Sequence, residues 1–229
     1  MYKRFLLITL ALLLGHALFS QNQSGGNPPK GKDEWKIEDI FGDKSYRIGL
    51  GPKVGANLAI ATQPTTYNFN FNNGLGYLLG LSANAHFGRR YPQSAGGTGL
   101  FGVETEIIYC LRKLGMEEKE QPLTMHTIEI PVLVQYYPTP FIAVEVGPTF
   151  TKTLKCTPNQ LQLEEITLNS DRLLENDVML TVGIAYKTPI NLMIDFRYNH
   201  GLSNMAGNLD SKVSSLALSF VYLFNIGSN

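Results

Sequence analysis

From Tyr46 to Phe224 the chain repeats one pattern eight times: apolar residues alternate with small or polar ones at a period of two. In "YRIGLGPKVGANLAI" the even positions Ile48, Leu50, Val54, Leu58 and Ile60 are apolar. The odd positions carry Arg47, Gly49, Gly51, Lys53, Gly55 and Asn57. The same alternation recurs over about 75–87, 100–111, 125–137, 141–151, 177–187, 190–201 and 213–225. A period of two puts one residue set on each face of a strand, so every segment has an apolar face and a polar face. Eight such strands in succession close into an antiparallel barrel.

A barrel with this pattern has two options. Its apolar face points inward in water, or outward into lipid. Three features select the second. The polar face is rich in glycine and small residues (Gly76, Gly80, Ser82 in the second segment), which suits a narrow interior and serves no purpose on a solvated exterior. The segments exceed the roughly 9 to 11 residues that a tilted spanning strand needs. Aromatic residues sit at segment ends on the apolar face. With the first strand leaving the periplasm, Tyr46, Phe87, Phe101, Tyr136, Tyr186 and Phe224 fall at one rim. Tyr77, Tyr109, Phe150 and Tyr198 fall at the other, as two aromatic girdles would. The pattern predicts an all-β fold, an eight-stranded antiparallel up-and-down transmembrane β-barrel over residues 46–226.

Composition agrees. Charged residues are 17% of the chain, against about 25% in soluble domains. Formal charge is zero, so no bulk attraction to nucleic acid is expected. Lys3 and Arg4 followed by the apolar run Phe5–Leu14 read as a signal peptide over 1–20. That run is too short to anchor as a membrane helix. No cysteine lies near the expected cleavage site, which argues against a lipid anchor. Residues 21–45 begin with a Gly-, Asn- and Pro-rich stretch and read as a flexible periplasmic segment. The turns at 138–140 and 188–189 are expected to be periplasmic. The connections 61–74, 112–124, 152–176 and 203–212 are expected to be extracellular loops, and the connection 88–99 is long for a periplasmic turn. In the longest loop, "LQLEEITL" alternates well enough to form a hairpin. Pro131, inside the fourth segment, predicts a bulge or a break in the ladder.

The pieces "GPKVGANLA", "IEIPVLVQYYP", "AVEVGPTF" and "DFRYNHGLSN", in this order and spacing, resemble the PorT-like outer-membrane β-barrel family of Bacteroidetes-type bacteria. The resemblance covers roughly residues 46–226. In the third strand the family's Gln-Pro-Glu stretch is replaced by Val103-Glu104-Thr105-Glu106. The resemblance implies an eight-stranded barrel in the outer membrane of a Gram-negative bacterium and little about activity. One group within the family takes part in protein secretion.

The face carrying glycine also carries charge. Glu104, Glu106, Glu129, Glu145 and Asp195 share it with Arg47, Lys53 and Arg197, and with Lys187. An eight-stranded lumen is just wide enough for side chains to fill it, and buried charges persist when paired. These residues are therefore expected to form a lumen charge network that plugs the barrel. A narrow ion pore is the alternative. An enzyme is not expected. A lipid hydrolase at the outer rim would need His126 or His200 to meet Ser203 and Asp210, and nothing in the spacing brings them together. No His/Cys cluster has metal-ligand spacing, and no cofactor motif is present. Cys110 and Cys156 both fall near the extracellular side of an exported chain and are candidates for a disulfide, with one strand intervening. The expected partners are outer-membrane lipid and envelope proteins reached through the N-terminal segment and loop 152–176. The expected role is a membrane scaffold or interaction platform.

Overall fold

The computed structural model describes residues 47–62, 70–90, 99–116, 119–157, 160–162, 167–169, 176–206 and 209–228. The expected signal peptide and the 21–45 segment lie outside the described residues, as does Tyr46. The strands are β1 (Arg47–Ala61), β2 (Phe71–Arg90), β3 (Gly99–Met116), β4 (Lys119–Tyr136), β5 (Ile142–Thr157), β6 (Gln160–Gln162), β7 (Thr167–Asn169), β8 (Asn176–Lys187), β9 (Leu192–Gly201), β10 (Asn204–Ala206), β11 (Leu209–Tyr222) and β12 (Phe224–Ser228). The main sheet runs β11-β9-β8-β5-β4-β3-β2-β1, and antiparallel pairing of β1 with β11 closes it into an eight-stranded barrel. β12 continues β11 past Leu223 and pairs with the start of β1. β6 and β7 form the expected hairpin as a separate two-stranded sheet.

The outward face is apolar through the middle of the wall. Val54, Leu79, Leu81, Ile107, Val134, Val146, Val182, Ile184 and Phe196 are all exposed on a chain with a buried polar interior. That inversion is the membrane pattern. At the end with the short turns, Phe87, Phe101 and Tyr136 stack across β2, β3 and β4. One of those turns is held by Asn191, whose φ of 61° is tolerable for asparagine. Inward glycines let neighbouring strands approach closely. A Cβ at Gly51 would lie 1.7 Å from the Tyr222 carbonyl oxygen, and one at Gly147 would lie 2.1 Å from that of Val132.

Two expectations need correction. Residues 112–124 are not an open loop. β3 runs to Met116 and β4 starts at Lys119, because above the apolar band the pattern inverts. There Leu114, Leu123 and Met125 are buried inside while Lys113 is exposed outside, as water on both flanks of a rim requires. The flanking loops are shorter than expected for the same reason: β2 spans Phe71–Arg90 and β5 runs to Thr157. At Pro131 the expected break in the ladder is present, without a bulge. Pro131 pairs with Thr149 and Val134 with Val146 in one register, and only the intervening pairs are missing. The bulge in this pairing lies instead between His126 and Thr127.

Candidate functional site: a charge-filled lumen

Side chains from β1, β3, β5 and β9 meet across the barrel. Lys53, on β1, places its ammonium 2.8 Å from Glu106 Oε1 and 2.7 Å from Asp195 Oδ2. Arg197, on β9, reaches Glu106 Oε2 at 2.8 Å and Glu145 Oε2 at 2.8 Å. Its Nη2 lies 3.2 Å from Glu104 Oε2 and 3.3 Å from Asp195 Oδ2. All six residues are buried. The strand order sets this geometry: β9 and β3 lie on opposite walls, so a guanidinium with a fork of donors can span the lumen.

Four carboxylates face two cations, which leaves the layer with two acids in excess. Neutral donors satisfy part of it. Gln135 Nε2 donates to Glu104 Oε2 at 2.5 Å and to Glu145 Oε1 at 2.6 Å. Ser82 donates to Glu104 Oε1, Asn84 donates to Gln135 Oε1, and the Tyr137 hydroxyl donates to the same oxygen. The alternation places Gln135 inward, but its role as the amide bridging two acids is set by the register of β3, β4 and β5. Carboxylate oxygens of Glu104, Glu106 and Asp195 lie within 4.8 Å of one another, a grouping that a search for His/Cys spacing does not reveal. Lys53 and Arg197 already occupy most of those oxygens.

Three residues expected in this network stand outside it: Glu129, Arg47 and Lys187, whose ammonium lies 3.4 Å from His86 Nε2. Glu129 pairs with Arg112 at 2.7 Å, in a second layer nearer the long-loop end that also holds Thr127. Arg112 continues the inward parity of Cys110, but reading it as a loop residue hid it. Arg47 lies at the short-turn end and donates to Asn225 Oδ1 at 2.9 Å. Between the two charged layers, Leu78, Ile108, Cys110 and Ala217 form an apolar cluster. Beside it is a cavity of about 20 Å³, room for one water, lined in part by Thr149, Thr181 and Asn199. Below the central layer, Tyr137, Ala143, Ala185, Met193, Val221 and Leu223 form an apolar floor.

Cys110 and Cys156 are not joined; both are buried thiols. Cys110 lies opposite Thr127 and Cys156 opposite Met125, on the two flanks of β4. Two strand spacings, about 9.5 Å, separate them, beyond the roughly 7 Å that a disulfide spans. At the outer rim, His126 Nδ1 meets the Tyr109 hydroxyl at 2.5 Å. His200 Nδ1 lies 3.4 Å from Ser214 Oγ, the Tyr198 hydroxyl shares the same nitrogen at 3.3 Å, and the Ser203 backbone N–H donates to Asp177 Oδ1. Among the residues whose side chains are described, which do not include Asp210, no carboxylate pairs with either of these histidines.

The family model for an outer membrane protein beta-barrel domain matches residues 47–207. A comparison with curated proteins finds no match. Among solved structures, the chain is similar to the attachment invasion locus protein Ail of Yersinia pestis, at 15% identity and a TM-score of 0.46, covering 77% of this chain and 98% of that one. It is also similar to Neisserial surface protein A, at 12% identity and a TM-score of 0.48, covering 76% and 97%. A third is OprG of Pseudomonas aeruginosa, at 12% and 0.44, covering 82% and 99%. The matched segment takes in most of the closed wall and its charged lumen, and the chain belongs to the outer membrane protein beta-barrel domain family, with its place in the outer membrane of a Gram-negative bacterium.

Proposed function

We propose that this barrel is a closed membrane scaffold, an interaction platform for an envelope assembly or protein-secretion complex, and not an enzyme. The observation that supports this is the filled central layer. Arg197 contacts four carboxylates drawn from β3, β5 and its own strand, so the lumen is spanned by side chains rather than by an aqueous column. The secretion part of the proposal rests on the resemblance to the PorT-like family, one group of which takes part in protein secretion. The short-turn end faces the periplasm in this reading, as short turns do in outer-membrane barrels. Contact with partners then falls to the N-terminal segment and to the region 152–176, because binding residues concentrate on loops carried by a rigid scaffold. Planar-bilayer recording tests the closed lumen. The refolded protein should give no steady conductance, and sizeable unitary channels would establish the ion-pore reading instead. Crosslinked pull-down from native outer membranes tests the platform role; recovery of the barrel alone, with no envelope protein enriched, would count against it.

A further inference from the structure

Charge is sorted between the two faces of the wall. Every carboxylate whose side chain is described, Glu104, Glu106, Glu129, Glu145, Asp177 and Asp195, is buried inside. The exposed charged side chains among the described residues are all lysines: Lys113 on β3, and Lys152 and Lys155 on β5. All three lie at the long-loop end, on the two strands that flank β4. Lys155 sits directly opposite His126 in the β4–β5 ladder, and Lys152 opposite Ile128. Across the other edge of β4, Leu111 faces His126 and Lys113 faces Thr124. Three ammonium groups therefore flank one imidazole on a single sector of the rim. Toward the membrane centre the same sector is apolar, with Ile107, Ile130 and Phe150 exposed on β3, β4 and β5. Tyr109, whose hydroxyl meets His126 Nδ1, lies between the two zones. On the opposite wall, four strands from β4, Lys212 of β11 is half-buried.

We infer that this sector binds a phosphorylated lipid of the outer leaflet: Lys113, Lys152, Lys155 and His126 hold a phosphate of lipid A, and Ile107, Ile130 and Phe150 pack its acyl chains. The match is to an amphiphile with an anionic head above apolar tails. Lysine stems lie along an apolar surface while their ammonium groups stay at the polar level, which puts the positive charge where a lipid headgroup sits. Two strand spacings, about 9.5 Å, separate β3 from β5, and a flexible four-carbon stem on each side can close that span over a phosphate. A soluble protein ligand would also meet the lysines, but it would not reach the apolar strip beneath them, which lipid covers. The long-loop end faces the cell exterior in the orientation adopted above, where the leaflet is made of lipopolysaccharide. The inference rests on that orientation and not on the platform role.

Native mass spectrometry of the full mature chain, refolded in zwitterionic detergent and titrated with bisphosphorylated lipid A, tests it. The wild type should bind lipid A, and K113Q/K152Q/K155Q should bind it roughly 100-fold more weakly, the combined loss of three interfacial lysines. K212Q, on the opposite wall, should bind like the wild type. Both variants should keep the heat-shifted gel mobility of a folded barrel. Undiminished binding by the triple variant would overturn the inference, as would equal binding of lipid A stripped of its phosphates. So would phosphatidylglycerol binding as tightly as lipid A with the same loss in the triple variant, because the site would then take any anionic lipid. The titration is made in micelles, so its result is independent of orientation. Orientation is read separately, from labelling of K155C on intact cells by a polyethylene-glycol maleimide. Labelling supports the outer leaflet; its absence would place this rim in the inner leaflet and overturn the lipid A assignment through orientation alone.

Discussion

Arg197 donates to carboxylates on β3 and β5 and approaches Asp195 on its own strand, while Arg112 holds one acid, Glu129. Removing one partner of a buried ion pair costs about 3–5 kcal/mol because the other charge stays buried and unmet. Arg197→Met should therefore destabilise the barrel at the top of that range in denaturant titrations in micelles. Arg112→Met should cost less, since it orphans a single acid. Glu104→Gln should behave differently. The central layer already holds two more acids than cations, and the amide keeps the side-chain shape facing Ser82 and Gln135. Its midpoint should move by no more than about 1 kcal/mol, the scale of one rearranged hydrogen bond. If Glu104→Gln proves as damaging as Arg197→Met, the acid excess has been misjudged.

At the scale of a strand, the glycines of the inner face decide how tightly the wall coils. Gly147 on β5 faces the Val132 carbonyl so closely that an added Cβ would overlap it at 2.1 Å. The missing ladder pairs beside Pro131 lie at the same place. Gly147→Ala must push the strands further apart, and overpacking of this kind costs about 1–3 kcal/mol. A control at Gly49, where the nearest atoms are Leu223 side-chain carbons at 3.4 Å, should be tolerated better. Comparing the two alanine variants by unfolding midpoint separates a backbone clash from a general glycine effect. The alternation located β5 and the inward side of Gly147, but not this contact, because a close approach between strands depends on barrel coiling.

For the molecule as a whole, an outward apolar band and a polar interior demand lipid or detergent. The folded protein should migrate differently on gels before and after heating. Its two thiols add a check on the closed interior. Cys110 and Cys156 are buried and separated by β4. Maleimide should leave both unmodified in the folded barrel and label both after heat unfolding, with no reductant-dependent shift in mobility. Rapid labelling of the native barrel would mean that water reaches the lumen freely, which would also weaken the closed-scaffold reading.

The sequence by itself determined the fold class, the strand count and which residues face inward, because a period of two is a local property that the lipid-facing surface enforces residue by residue. Glu104, Glu106, Glu145, Asp195, Lys53 and Arg197 were all legible as lumen charges on parity alone. Beyond the apolar band, water replaces lipid outside the wall. The parity of β3 then continues with its chemistry reversed, apolar Leu114 inside and charged Lys113 outside, and strand ends there read as loops. Only the tertiary structure decided which charges meet. Partners across a barrel are set by strand order, stagger and coiling, and these are relations between distant segments. They joined Arg197 to Glu145, moved Glu129 to Arg112, kept Cys110 from Cys156, and set Lys187 beside His86.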